Sequence, residues 1–102
     1  MNDAYKDLPL VDNKAHHRFE MHIDGAIAFL IYRLNEPVIT LVHTEVPESM
    51  EGKGVASALI EKVLDYIEKQ GLRLVPECPF VRAYLKRHPD WKRILDASVH
   101  DF

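Results

Sequence analysis

The chain has 102 residues, 47% of them apolar and 28% charged, with a formal net charge of −3 and a pI near 6.0. That length supports one modest hydrophobic core rather than two, and the acidic balance argues against nucleic acid as a partner, since general nucleic-acid binders carry a basic surplus. No stretch approaches the roughly 18 apolar residues of a membrane span, and the start "MNDAYKDLPLVDNK" has neither a basic nor an apolar leader segment, so a cytoplasmic location with no membrane partner is expected.

Residues 1–13 are polar and read as a loose N-terminal segment, leaving a single domain over residues 14–102. From Ala15 to Ile23 the odd positions are mostly apolar and the even ones polar, the alternation of a half-buried strand. Asp24 and Gly25 form a hairpin turn signal. Ala26 to Leu34 is apolar on both parities, which predicts a second strand covered on both faces. After a turn at "NEP", the β-branched run Val38 to Val46 is a third strand. Val55, Ala56, Leu59, Ile60, Val63, Leu64 and Ile67 then recur at steps of three and four, the stripe of a long amphipathic helix that Gly71 is placed to end. Leu72 to Val75 is a short strand, and a strand-helix-strand unit of this length calls for a right-handed crossover that sets it parallel to the third. Pro79 suits the first position of a second helix with the stripe Phe80, Val81, Tyr84 and Leu85; "HPDW" stops it, and residues 90–95 have room for one more turn. The sum is an α/β domain of the α+β type: a mixed, mostly antiparallel sheet of about four strands with one long and one short helix.

Gly52 and Gly54 stand directly before the long helix. A P-loop requires G-x-x-x-x-G-K-[ST], and "GKGV" lacks both the upstream glycine and the hydroxyl after lysine. A dinucleotide fingerprint requires a third glycine where Ser57 stands, and one strand-helix-strand unit cannot build a two-halved crevice. Two readings remain from the residues themselves. The glycines are a turn that merely enters the helix, or they let unpaired backbone N–H groups and the positive end of the helix dipole approach an anion.

The run "EGKGVA", Glu51 to Ala56, resembles the R/Q-x-x-G-x-G/A pyrophosphate loop of the GNAT superfamily, the acetyl-CoA-dependent N-acetyltransferases. With "HTEVP" before it and "LVPECPFVRAYLKRHPDW" after the helix, roughly residues 15 to 95 resemble the small single-domain branch of that superfamily. The resemblance implies a minimal GNAT-like fold and acetyl-CoA, or coenzyme A, as the bound cosubstrate. Its pyrophosphate would rest on the backbone of Gly52, Lys53, Gly54, Val55 and Ala56, while Glu51 stands where Arg or Gln is usual. Pantetheine would insert between strands that splay apart at Glu45 and Val46 on one side and Val75 and Pro76 on the other. The implied activity is acetyl transfer to an amine at an open site, from a protein, a peptide or a polyamine. The alternative is a coenzyme-A-binding or regulatory module with little turnover.

Cys78, the only cysteine, has no partner for an internal disulfide and cannot build a thiolate metal site. His16, His17 and His22 lack metal-ligand spacing, so no metal site is expected. Cys78 precedes Pro79 at the start of the second helix, where the helix dipole favours thiolate. Either Cys78 accepts the acetyl group transiently, or it lies beside the thioester while an amine attacks directly with His43 or Glu45 as proton acceptor. A small buried cysteine and a hydrogen-bonded strand histidine are the alternatives. Under the resemblance, Pro79 begins the helix close to the coenzyme's sulfur, Tyr84 packs on pantetheine, and Lys86 and Arg87 meet the adenosine 3′-phosphate. Otherwise the basic run from Arg82 to Arg93 is a solvated helix face.

Overall fold

In the computed structural model, which describes residues 3–100, five strands form one sheet in chain order: β1 (Val11–Asn13), β2 (Arg18–Ile23), β3 (Ala26–Asn35), β4 (Val38–Glu45) and β5 (Arg73–Pro76). Helix α1 (Val55–Lys69) links β4 to β5, and α2 (Pro79–Arg87) follows β5. The first four strands are antiparallel and β5 runs parallel to β4, the arrangement that the connection lengths demand. Residues 1–2 and 101–102, the outer ends of the two predicted segments, lie outside the described residues.

The strand count is five rather than about four. Val11–Asn13 pair with Arg18–Glu20, and Tyr5, Leu8 and Leu10 pack against the core, so the first thirteen residues are not loose throughout. A three-residue edge strand is too short to show alternation; side-chain chemistry helps hold it, with the Asn13 amide donating to the Glu20 carboxylate at 2.8 Å. The strand expected from Ala15 begins at Arg18, because Lys14–His16 form a 3₁₀ turn whose His16 N–H is taken by the Asn13 side chain. The fourth strand is Arg73–Pro76 rather than Leu72–Val75, since Leu72 belongs to the cap of α1. There Gly71 adopts φ 70°, and Leu72 N–H and Gly71 N–H return to the carbonyls of Ile67 and Glu68, a Schellman-type ending.

Phe19, Met21, Ala28, Leu30, Ile39, Leu41 and Leu74 point to one side of the sheet, where they meet Leu59, Val63, Leu64 and Ile67 of α1 and Val81 and Leu85 of α2 in a single buried cluster. Both helices therefore cover the same face. The 3₁₀ segment Pro89–Ile94 adds the buried Ile94, and the chain then lies along β5, with Leu95 bridged to Leu74 and Asp96 N–H bonded to the Leu74 carbonyl.

The expectation that β3 is covered on both faces is overturned. Ala28, Leu30 and Tyr32 are buried, but Ile27 is exposed and Phe29 and Ile31 are only half-buried. Among the described residues no helix lies over them; instead the Arg18 guanidinium sits 4.3 Å from the centroid of Phe29, anchored by Glu20 at 2.6 Å. A stacked cation shields the ring face from water while staying hydrated itself.

Candidate functional site

β4 pairs with β5 only over Val38–Leu41, although it runs four residues further along β3. The register with β3 slips between Ile31 and Tyr32, leaving Val42 as the extra residue of a bulge. Bulges bend a strand and raise its twist, and here the bend coincides with the point where β5 turns away. The last contact between the two strands is the Leu41 carbonyl, which accepts the N–H groups of Glu77 and Cys78, each at 2.9 Å. Beyond it, the β5-facing edge of Val42–Glu45 has no strand partner among the described residues. A gap thus opens at the carboxyl ends of the parallel pair, where open α/β sheets bind ligands.

The glycine loop stands at the mouth of that gap. Pro47 leads into a 3₁₀ turn, Glu48–Met50, and Gly52 and Gly54 then take φ values of 77° and 80°, a left-handed conformation that residues with a Cβ resist. Gly54 is the N-cap residue of α1, with no side chain capping it and no acidic residue in the first turn. The Gly54 carbonyl accepts the Ala58 N–H, so the N–H groups of Val55, Ala56 and Ser57 have no helical acceptor. A Cβ built on Gly52 would meet nothing within 4 Å, which leaves the loop backbone open to approach. This combination suits a phosphate-type anion.

The predicted loop residues divide accordingly. Val55 is buried in the core, so it offers only its backbone, as does half-buried Ala56. Glu51 is exposed and its N–H is already committed to the Glu48 carbonyl. Lys53 is exposed, and its ammonium forms no ion pair among the described residues. Val46 lies just past β4, half-buried against the core.

Cys78 is 1% exposed, and its Sγ lies 3.2 Å from the Thr44 hydroxyl, which is itself buried. Thr44 pairs with Leu30 across the sheet, whereas His43 pairs with Ile31 and Glu45 with Phe29. Successive strand residues face opposite ways, so Cys78 and Thr44 lie under the helices while His43 and Glu45 stand on the open face. Cys78 and His43 therefore stand on opposite faces of β4, for a reason of parity. His43 instead meets Glu45, at 3.7 Å, and both side chains are more than half exposed.

Tyr84 is buried against α1, and its hydroxyl donates to the Glu61 carboxylate at 3.1 Å. Burial, then that carboxylate, pushes the phenol up to about 12, so it stays protonated. The His88 ring stacks on it at 4.3 Å between centroids. Pro79 is exposed at the first position of α2, and Phe80, expected on the apolar stripe, points to solvent. Lys86 and Arg87 are exposed in the last turn of α2 and form no ion pair among the described residues. Thr44 and Glu61 were absent from the sequence expectations. Strand parity marks Thr44 as the inward neighbour of His43, but nothing in the sequence pairs Glu61 with Tyr84.

A family model described as GCN5-related N-acetyl-transferase matches residues 18–94. Protein NATD1 of Mus musculus is 28% identical over 80 residues, which cover 76% of this chain and 73% of that protein. Protein NATD1 of Xenopus tropicalis is 24% identical over 90 residues, covering 85% and 83%. The NMR solution structure of a GCN5-like putative N-acetyltransferase from Staphylococcus aureus superposes with a TM-score of 0.66 at 21% identity, covering 95% of this chain and 99% of that one, a likeness of fold. The crystal structure of ribosomal-protein-alanine N-acetyltransferase from Brucella melitensis biovar Abortus 2308 superposes with a TM-score of 0.54 at 26% identity, covering 83% of this chain but only 64% of that one.

Proposed function

Because the chain belongs to the GCN5-related N-acetyltransferase family, we propose that it takes acetyl-CoA as cosubstrate and transfers the acetyl group to an amine, on a protein, a peptide or a polyamine. The observation that carries this reading is the unpaired edge of Val42–Glu45 opening beside the uncapped start of α1. Strand edge and helix start together match a ligand with amide groups at one end and a pyrophosphate at the other.

When bound, acetyl-CoA supplies a thioester carbonyl open to attack by a neutral amine. The N–H groups at the start of α1 hold the pyrophosphate, the free edge of β4 receives the pantetheine amides, and Lys53, Lys86 and Arg87 are available to the remaining phosphate charge. The amine nitrogen forms the new C–N bond as the C–S bond breaks, and the sulfur leaves with the bonding pair. The amine proton passes to His43 or Glu45, which face solvent where an acceptor arrives. Cys78 lies on the other side of β4, and among the described residues only the Thr44 hydroxyl is bonded to its sulfur, with no imidazole beside it to take its proton. Direct attack is therefore the proposed route.

Titration with acetyl-CoA, followed by backbone amide spectra, tests the binding half. Shifts should centre on residues 51–57 and 42–45, and Gly54→Val should abolish them, because a β-branched residue resists φ 80°. Intact mass after exposure to acetyl-CoA should show no acetylated Cys78, and Cys78→Ala should keep its activity. A second reading, a coenzyme-A-binding module, is favoured by Glu51 standing where a cationic or amide side chain is usual; binding with no release of free thiol would select it.

A further inference from the structure

The open face of the sheet holds an ion pair that the proposed chemistry does not use. The Glu20 side chain is 5% exposed; its carboxylate accepts from Arg18 Nε at 2.6 Å and from the Asn13 amide at 2.8 Å, and His22 Nε2 lies 2.8 Å from its other oxygen. A buried carboxylate needs such partners, but Arg18 is placed for more than neutralising it. The Arg18 side chain is 25% exposed, with its Nε tied to Glu20 and its guanidinium 4.3 Å from the centroid of the Phe29 ring. The carboxylate holds it from one edge and the ring from beneath. Among the described residues its terminal N–H groups have no hydrogen-bond partner. A planar fork fixed in this way is organised in advance for a carboxylate, so little side-chain freedom is lost when one binds.

That fork stands beside the groups to which the amine proton is assigned. Glu20 is opposite Phe29 and Phe29 opposite Glu45, while Arg18 is opposite Ile31 and Ile31 opposite His43. From β4 to the guanidinium is therefore one to two strand spacings, about 5 to 10 Å, across a floor of half-buried Phe29 and Ile31. The exposure of β4 narrows the amine as well. His43 and Glu45 are 53% and 60% exposed, so no burial lowers the pKa of an arriving amine. A side-chain amine of the lysine type, at about 10.4, stays almost wholly protonated at neutral pH, whereas a peptide α-amine, at about 7.7–8.0, keeps an appreciable neutral fraction.

We propose that Arg18 determines acceptor specificity: the acceptor is a peptide whose α-amine lies at His43 and Glu45 and whose acidic side chain, on its second or third residue, pairs with the Arg18 fork. This rests on the acetyl-transfer reading only for where the amine arrives. An extended peptide advances about 3.3 Å per residue, so an aspartate or glutamate at those positions spans the distance. Glu20 leaves the pair neutral overall, and the preference comes from N–H groups directed at the acceptor rather than from net charge. A polyamine fits worse, because it brings a second cation to the guanidinium instead of an acceptor for its N–H groups.

The test is a binding measurement, independent of turnover. Alanine pentapeptides with a free α-amine and an amidated C-terminus, carrying aspartate, asparagine or lysine at the second or third residue or aspartate at the fifth, are titrated into the whole protein with coenzyme A present. Backbone amide and arginine Nε–H spectra follow the titration. Aspartate at the second or third residue should bind about tenfold more tightly than asparagine there, with lysine weakest, and should move the Arg18 Nε–H signal. Aspartate at the fifth residue should bind no better than asparagine. Arg18→Gln combined with Glu20→Gln replaces the pair by two neutral amides without stranding a buried charge, and should bring the aspartate-to-asparagine ratio to about one. Equal binding of the aspartate and asparagine peptides, no binding of either, a preference that survives in the double variant, or tighter binding of spermidine would each overturn the proposal. Failure of the acetyl-transfer reading shows separately, as aspartate-selective binding without release of free thiol.

Discussion

The two faces of β4 do different work. On one, Leu41 and Thr44 are sealed beneath the helices and Thr44 touches the Cys78 sulfur; on the other, His43 and Glu45 stand in solvent beside Ile31 and Phe29. One residue of parity separates packing from chemistry. Substitutions on the helix face should therefore register as stability, and those on the open face as turnover.

The largest separation is expected at His43 and Glu45. Substituting both, by Ala and Gln, should lower acetyl transfer about 100- to 10,000-fold if they accept the amine proton. Both are exposed, so the melting temperature should barely change. Unchanged turnover would move the proton acceptor elsewhere. Next, Leu59→Ala removes a side chain with no exposed surface and should cost about 2–5 kcal/mol in denaturant unfolding, whereas Ile27→Ser on the open face should stay within about 0.5 kcal/mol. A comparable loss at Ile27 would mean that the open face is covered after all. Thr44→Val should cost about 0.5–1.5 kcal/mol through the lost hydroxyl-sulfur contact, with acceptor KM unchanged.

A further effect is a pH dependence on the open face. Hydrogen bonds from Arg18, Asn13 and His22 hold the Glu20 carboxyl at about 2, below its ordinary 4.5. A carboxyl lowered on folding stabilises above its unfolded value, and that contribution is lost as pH falls from about 4.5 toward 2. The deficit of E20Q in melting temperature should accordingly be full near neutrality and close on acidification. A deficit independent of pH would remove the ionic explanation.

Much of the architecture was legible because period and turn chemistry agree. The 3.6-residue stripe of α1, Gly71 behind it and the Asp24-Gly25 turn all lie where the pattern puts them. What failed did so where a single side chain overrides the pattern. Asn13 captures His16 N–H and shortens β2, and the Arg18 cation stands in for a second covering layer over Phe29, an arrangement that an apolar count cannot distinguish from a buried strand. Within the site, the loop backbone was readable because Gly52 and Gly54 need positive φ. The relation of Cys78 to His43 was not, because the bulge at Val42 and the side of the sheet taken by α2 are tertiary facts.

The most direct measurement is steady-state release of free thiol from acetyl-CoA across a panel of peptide amines and polyamines. The account predicts release that depends on the amine, persists in Cys78→Ala and collapses when His43 and Glu45 are both replaced. No amine-dependent release from protein that binds acetyl-CoA would contradict it.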